Sequence, residues 1–116
     1  MRIDFLWYPD CPSHPEAREL LAGVLRELDL EAEIVERVVE SKAEAEELAF
    51  PGSPTIRVDG RDIDPEGART RPALTCRTYQ WSDGRFQPLP EKSLLIEALT
   101  ANRENEGADQ LKEASP

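Results

Sequence analysis

The sequence predicts an α/β domain with elements in the order β-α-β-α-β-β-α. Three observations carry that expectation. Short β-branched or aromatic runs alternate with one-sided apolar stripes at helical spacing. Proline and glycine sit at each changeover. The first strand–helix–strand unit is of the kind that is normally parallel and right-handed. A central mixed sheet of four or five strands flanked by three helices follows.

Ile3-Asp4-Phe5-Leu6-Trp7-Tyr8 is a short apolar run and reads as a buried strand. Three prolines between Pro9 and Pro15 forbid strand and permit a turn into a helix. Leu20, Leu21, Val24, Leu25 and Leu28 make one apolar stripe on that helix. Glu33 to Val39 is β-branched and reads as a second strand. Ser41-Lys42-Ala43-Glu44 is a capping-box pattern that opens a short helix through Ala49. Phe50-Pro51-Gly52-Ser53-Pro54 breaks it, and Thr55-Ile56-Arg57-Val58 is a third strand closed by Asp59-Gly60. Residues 61–72 are polar and read as a loop. Leu74 to Trp81 alternates and is rich in Thr, Tyr and Trp, so the fourth strand is expected there, with a return strand at Phe86. Leu94, Leu95, Ile96 and Leu99 mark a last helix from Pro90 or Glu91. The expected domain is 1–101, and 102–116 reads as a polar, flexible tail.

Charge narrows the function. The chain has 116 residues and a formal charge of −10. Residues 1–50 hold 5 basic and 13 acidic side chains, and residues 51–116 hold 9 and 11. An acidic protein is a poor match for nucleic acid, where phosphate must be neutralised by Lys and Arg. No apolar run reaches the roughly 20 residues of a membrane span. Two cysteines cannot build a disulfide-rich scaffold, and a cytoplasmic protein with reduced thiols is expected. Arg57, Arg61, Arg69, Arg71 and Arg77 make the middle locally basic. They either pair with Asp59, Asp62, Asp64 and Glu66 or form an anion-attracting patch.

Cys11 is the candidate reactive group. It lies between a strand and a helix, where unpaired amides and the helix dipole favour thiolate. His14, three residues on, could lower the thiol pKa or exchange its proton. Cys76 is either a small hydrophobe in a sheet or a second thiol in an arginine-rich stretch. Cys11, His14 and Cys76 together would make a three-ligand set for a soft metal such as Zn(II), Hg(II) or Cu(I). Trp7 and Trp81 read as core or rim aromatics.

Tyr8-Pro9-Asp10-Cys11-Pro12-Ser13-His14 resembles the active-site turn of the thioredoxin and glutaredoxin superfamily. Gly52-Ser53-Pro54-Thr55-Ile56-Arg57-Val58-Asp59-Gly60 is similar to that superfamily's cis-proline segment. The resemblance implies a thioredoxin-like fold, with Cys11 as nucleophile and Pro54 as the cis proline facing it. Pro12, Ser53 and Pro54 would contact substrate along an exposed edge. His14 replaces the second cysteine of C-x-x-C, so a local dithiol cannot form. What remains is an atypical thiol–disulfide oxidoreductase, without cofactor, in which Cys11 acts alone or with Cys76 as resolving thiol. Its partner would be a protein or small thiol or disulfide such as glutathione. The alternative is a non-enzymatic module of the same fold that binds a soft metal or a protein. The spacing of the two thiols also resembles that of organomercurial lyases, with His14 where an Asp is expected.

Overall fold

A computed structural model describes residues 1–101; the tail expected at 102–116 lies outside the described residues. Alternation along the first strand, β1 (Arg2–Trp7), sets up two apolar layers. Ile3 and Phe5 point to one face of the sheet and Leu6 to the other. On the first face they meet Ala17, Leu21, Val24 and Leu25 of α1 (His14–Glu27). Leu95 and Leu99 join them from α3, which runs over 92–101. On the second face Leu6 packs with Val39, Phe50 and Ala45, the last from α2 (Lys42–Glu47).

β1 is central because it is apolar on both faces. It pairs in parallel with β2 (Glu33–Val38), Ile3 opposite Ile34. On its other side it pairs antiparallel with β3 (Thr55–Val58), Ile3 opposite Val58. With Arg61–Asp62 as β4, the four-stranded order is β2-β1-β3-β4. The fold is therefore α/β with a mixed sheet, as expected.

Two local signals resolve in an instructive way. Ser41 caps α2 by accepting the Glu44 amide at 3.1 Å. The Glu44 carboxylate then takes the Ser41 hydroxyl proton at 3.2 Å, where a capping box would take the Ser41 amide. Ser13 is the N-cap of α1 but makes no capping bond, because its hydroxyl is engaged elsewhere.

The fourth strand is not where the alternation of 74–81 placed it. Asp59 and Gly60 both have positive φ, 48° and 85°, as a tight two-residue hairpin requires. The chain therefore turns straight back as β4 (Arg61–Asp62), inside the stretch expected to be loop. From 74 to 81 only β5 (Tyr79–Gln80) is strand, and it pairs with β6 (Phe86–Gln87) in a separate two-stranded ribbon. The alternation itself is real: Arg77 and Tyr79 face inward, while Cys76, Thr78 and Gln80 face out. Ahead of β5 it meets the backbone beside the main sheet at a single residue, Ser53, rather than along a ladder.

Arg77 fixes that segment to the sheet. Its guanidinium donates twice to Asp62, at 2.8 Å each, and to the Asp64 carbonyl at 3.1 Å. It lies 4.5 Å from the centre of the Tyr79 ring. The pair is buried, with side chains 3% and 6% exposed. Of the five arginines, this one answers the question of pairing against anion attraction in favour of pairing. Arg57 also has protein partners, the carbonyls of Leu48 and Ala49 that end α2. Removing one member of a buried pair strands the other charge, at a cost of about 3–5 kcal/mol. Arg77→Ala and Asp62→Ala are each expected to lose stability of that order in urea denaturation, and the double variant less than their sum. A loss under about 1 kcal/mol would place the pair among exposed ones.

Candidate active site: two thiols over Ser53

The turn after β1 buries Cys11 completely. Its amide donates to the Tyr8 carbonyl at 3.0 Å, which folds the chain back before α1 begins. The Cys11 sulfur lies 3.1 Å from Ser13 Oγ, which explains why Ser13 does not cap its helix. With its proton in place, the Cys11 thiol donates to the Ser53 carbonyl at 3.4 Å.

Ser53 is a fully buried polar residue whose polar atoms all have partners. Its hydroxyl accepts the Tyr8 amide at 3.0 Å, tying the end of β1 to the loop before β3. Its amide donates to the Thr75 carbonyl at 2.8 Å, and its carbonyl accepts the Arg77 amide at 2.8 Å. Cys76 is thereby bridged to Ser53 from the side opposite β1. Cys11 and Cys76 thus meet on one residue, Ser53, near enough for each to shift the other's pKa. The Ser53–Pro54 peptide bond is cis, and the Pro54 carbonyl accepts the Tyr79 hydroxyl at 2.6 Å.

Gly52 permits this close approach. Its φ of 134° belongs to glycine, and a Cβ there would meet the Arg77 backbone nitrogen and Cβ at 3.0 Å.

The two thiols are unequal. Burial raises the Cys11 pKa, but hydrogen bonds from Cys76, from the Ser13 hydroxyl and amide, and from Ser53 outweigh it and hold the group below an ordinary thiol. Cys76 is pushed up to about 11, first because it donates to Cys11, then by burial and by the neighbouring negative charge. Between the two deprotonations the pair holds one proton, and the charge rests on Cys11.

The expected site residues fall in two groups. Cys11, Cys76 and Ser53 are brought together. His14 is turned away: its ring stacks on Trp7, centroids 4.4 Å apart. Desolvation and the nearby Arg18 lower its pKa, only partly offset by Glu36, so it favours the neutral form. The bonds that lower the Cys11 pKa come from Ser13, Ser53 and Cys76, the last two far away in sequence. Nor does His14 complete a three-ligand metal set with the thiols. Among the described residues no cluster of three or more His, Cys, Asp or Glu could hold a metal ion.

Pro12 is exposed. Ser53 and Pro54 are buried, so the edge expected to be open to substrate is already filled by Thr75, Cys76 and Arg77 of the same chain. Ser13 is the contributor that sequence reasoning missed. Its signal was available only as a serine at a helix N-cap, where it would ordinarily bond to the helix.

No family model matches the chain, and no solved structure matches it with significance. A curated relative is the "Probable cytosol aminopeptidase" of Halorhodospira halophila (strain DSM 244 / SL1). It is 32% identical over 101 residues, covering 83% of this chain and 20% of that protein. The chain thus spans about a fifth of the length of the curated relative it matches. Among the described residues no helix is long and apolar enough to cross a membrane.

The shared proton has a direct signature in thiolate absorbance against pH. At low pH both thiols are protonated, the first thiolate forms below the ordinary thiol range, and the second forms only near pH 11. Ser13→Ala removes a donor to the thiolate, so it is expected to move the first step upward. A single transition for both sulfurs at the ordinary thiol value would contradict the coupling.

Proposed function

We propose that the protein is an atypical thioredoxin-like thiol–disulfide exchange protein whose redox couple is Cys11 and Cys76. One observation carries this reading. Two free cysteines about 65 positions apart meet at Ser53: the Cys11 thiol donates to its carbonyl and Cys76 is bridged to its backbone, with the thiolate favoured at Cys11. A thiolate is the species that attacks or leaves in disulfide exchange, and stabilising it lowers the barrier to departure. The sheet order β2-β1-β3-β4, the position of Cys11 between β1 and α1, and the cis bond before Pro54 support the thioredoxin-like reading of the fold. His14 has no part in this scheme. Its place as pKa modulator passes to Ser13.

The chemistry needs no cofactor. Two thiols and a disulfide RSSR give an internal disulfide and two RSH, or the reverse. The aminopeptidase activity in the relative's name attaches to that longer protein and is not carried over to this chain.

Turnover of a small disulfide in the presence of reduced glutathione tests the proposal. Wild-type protein is expected to catalyse it, and Cys11→Ser and Cys76→Ser each to lower the rate by about tenfold or more. Equal rates for wild type and Cys76→Ser would mean that Cys76 is not part of the couple. No catalysis above buffer by the wild type would remove the oxidoreductase reading.

A further inference from the structure

We infer that Cys76, not Cys11, is the sulfur that bonds covalently to substrate, and that the substrate is a low-molecular-weight thiol or disulfide rather than an extended polypeptide. The inference rests on the exchange function proposed above and reverses the roles that chain order suggests. Cys11 has no solvent-exposed surface, whereas Cys76 is exposed. An incoming thiolate therefore reaches the sulfur of Cys76.

In the reducing direction a small thiolate RS⁻ attacks the Cys76 sulfur of the Cys11–Cys76 disulfide. The new bond joins R–S to Cys76, the internal S–S bond breaks, and its electron pair leaves on Cys11. That leaving thiolate is received by the Ser13 hydroxyl and amide and the Ser53 side chain. The better-stabilised sulfur leaves faster. A second RS⁻ then attacks the R sulfur, releasing RSSR and Cys76, which takes up a proton. The second of the two protons delivered by 2 RSH goes to solvent. In the oxidising direction the same steps run backward, and buried Cys11 resolves a mixed disulfide held on Cys76.

The size limit follows from the backbone. An extended peptide docks by adding main-chain hydrogen bonds to an open edge. The Ser53 amide and carbonyl, which would supply such bonds, are spent on Thr75 and Arg77. Arg77 is locked by its buried pair with Asp62, and Gly52 admits the segment at van der Waals distance. The segment bearing Cys76 thus occupies the place a peptide would take. Only a ligand that needs no strand pairing can approach the exposed sulfur.

The test is mapping of the glutathione adduct. Full-length oxidised wild type is mixed with reduced glutathione, quenched in acid at short times and digested. The transient adduct is expected on Cys76. With glutathione disulfide, native Cys11→Ser is expected to accumulate one adduct on Cys76. Cys76→Ser should react at about a tenth of the rate or below, with access to Cys11 restored by urea. The wild-type experiment stands even if replacing a buried cysteine compromises folding. An adduct on Cys11 in quenched wild type overturns the assignment while leaving the exchange function in place. Failure of the wild type to form any internal disulfide overturns both. Faster exchange with a disulfide in an unfolded polypeptide than with glutathione disulfide overturns the size limit.

Discussion

The whole arrangement depends on how one buried serine is satisfied. Ser53 has no access to water, so each of its polar atoms must find a partner within the protein. The partners come from three distant places: Tyr8 at the end of β1, Cys11 in the turn, and the Thr75–Arg77 segment. Leaving a buried donor or acceptor unpaired costs about 1–3 kcal/mol. Satisfying them all therefore holds the Cys11 turn and the Cys76 segment in one place. The Arg77–Asp62 pair adds a second attachment on the far side of that segment. The proximity of the two thiols follows from these constraints on the backbone.

The same constraint explains the imbalance between the sulfurs. A buried thiol alone would be held protonated, since burial penalises its charge. Cys11 escapes because its coupling to Cys76 lowers its pKa and because Ser13 turns its hydroxyl away from capping toward the sulfur. Cys76 is correspondingly harder to deprotonate. Burial also protects the Cys11 sulfur from bulky reagents, while the exposed neighbour communicates with solvent.

Local pattern made much of this legible. β1, α1, β2, α2 and β3 follow from periodicity, capping and proline placement, because each is decided by its own residues. Cys11 and the Gly52–Pro54 segment stand out only through the resemblance of their residues to known motifs. What escaped was decided across distance. Arg61–Asp62 is too short to show a period, so the Asp59-Gly60 pair reads only as the end of β3. The alternation of 74–81 is present, with Arg77 and Tyr79 inside, but the pattern says neither that an arginine takes the inner face nor which backbone the segment meets. Nothing near Ser53 signals that its edge is filled by residues more than 20 positions later. His14 was favoured by its spacing from Cys11; the flat face of Trp7 beside it decided otherwise.

The central claim is that the fold presents Cys11 and Cys76 to each other as one couple. Equilibrating the native protein in glutathione redox buffers and following free thiols and intact mass tests it most directly. Both thiols are expected to disappear together in one two-electron transition, with the monomer losing two hydrogens and gaining no glutathione at equilibrium. Independent loss of the two thiols, as separate glutathione adducts or as cross-linked dimers, would contradict it.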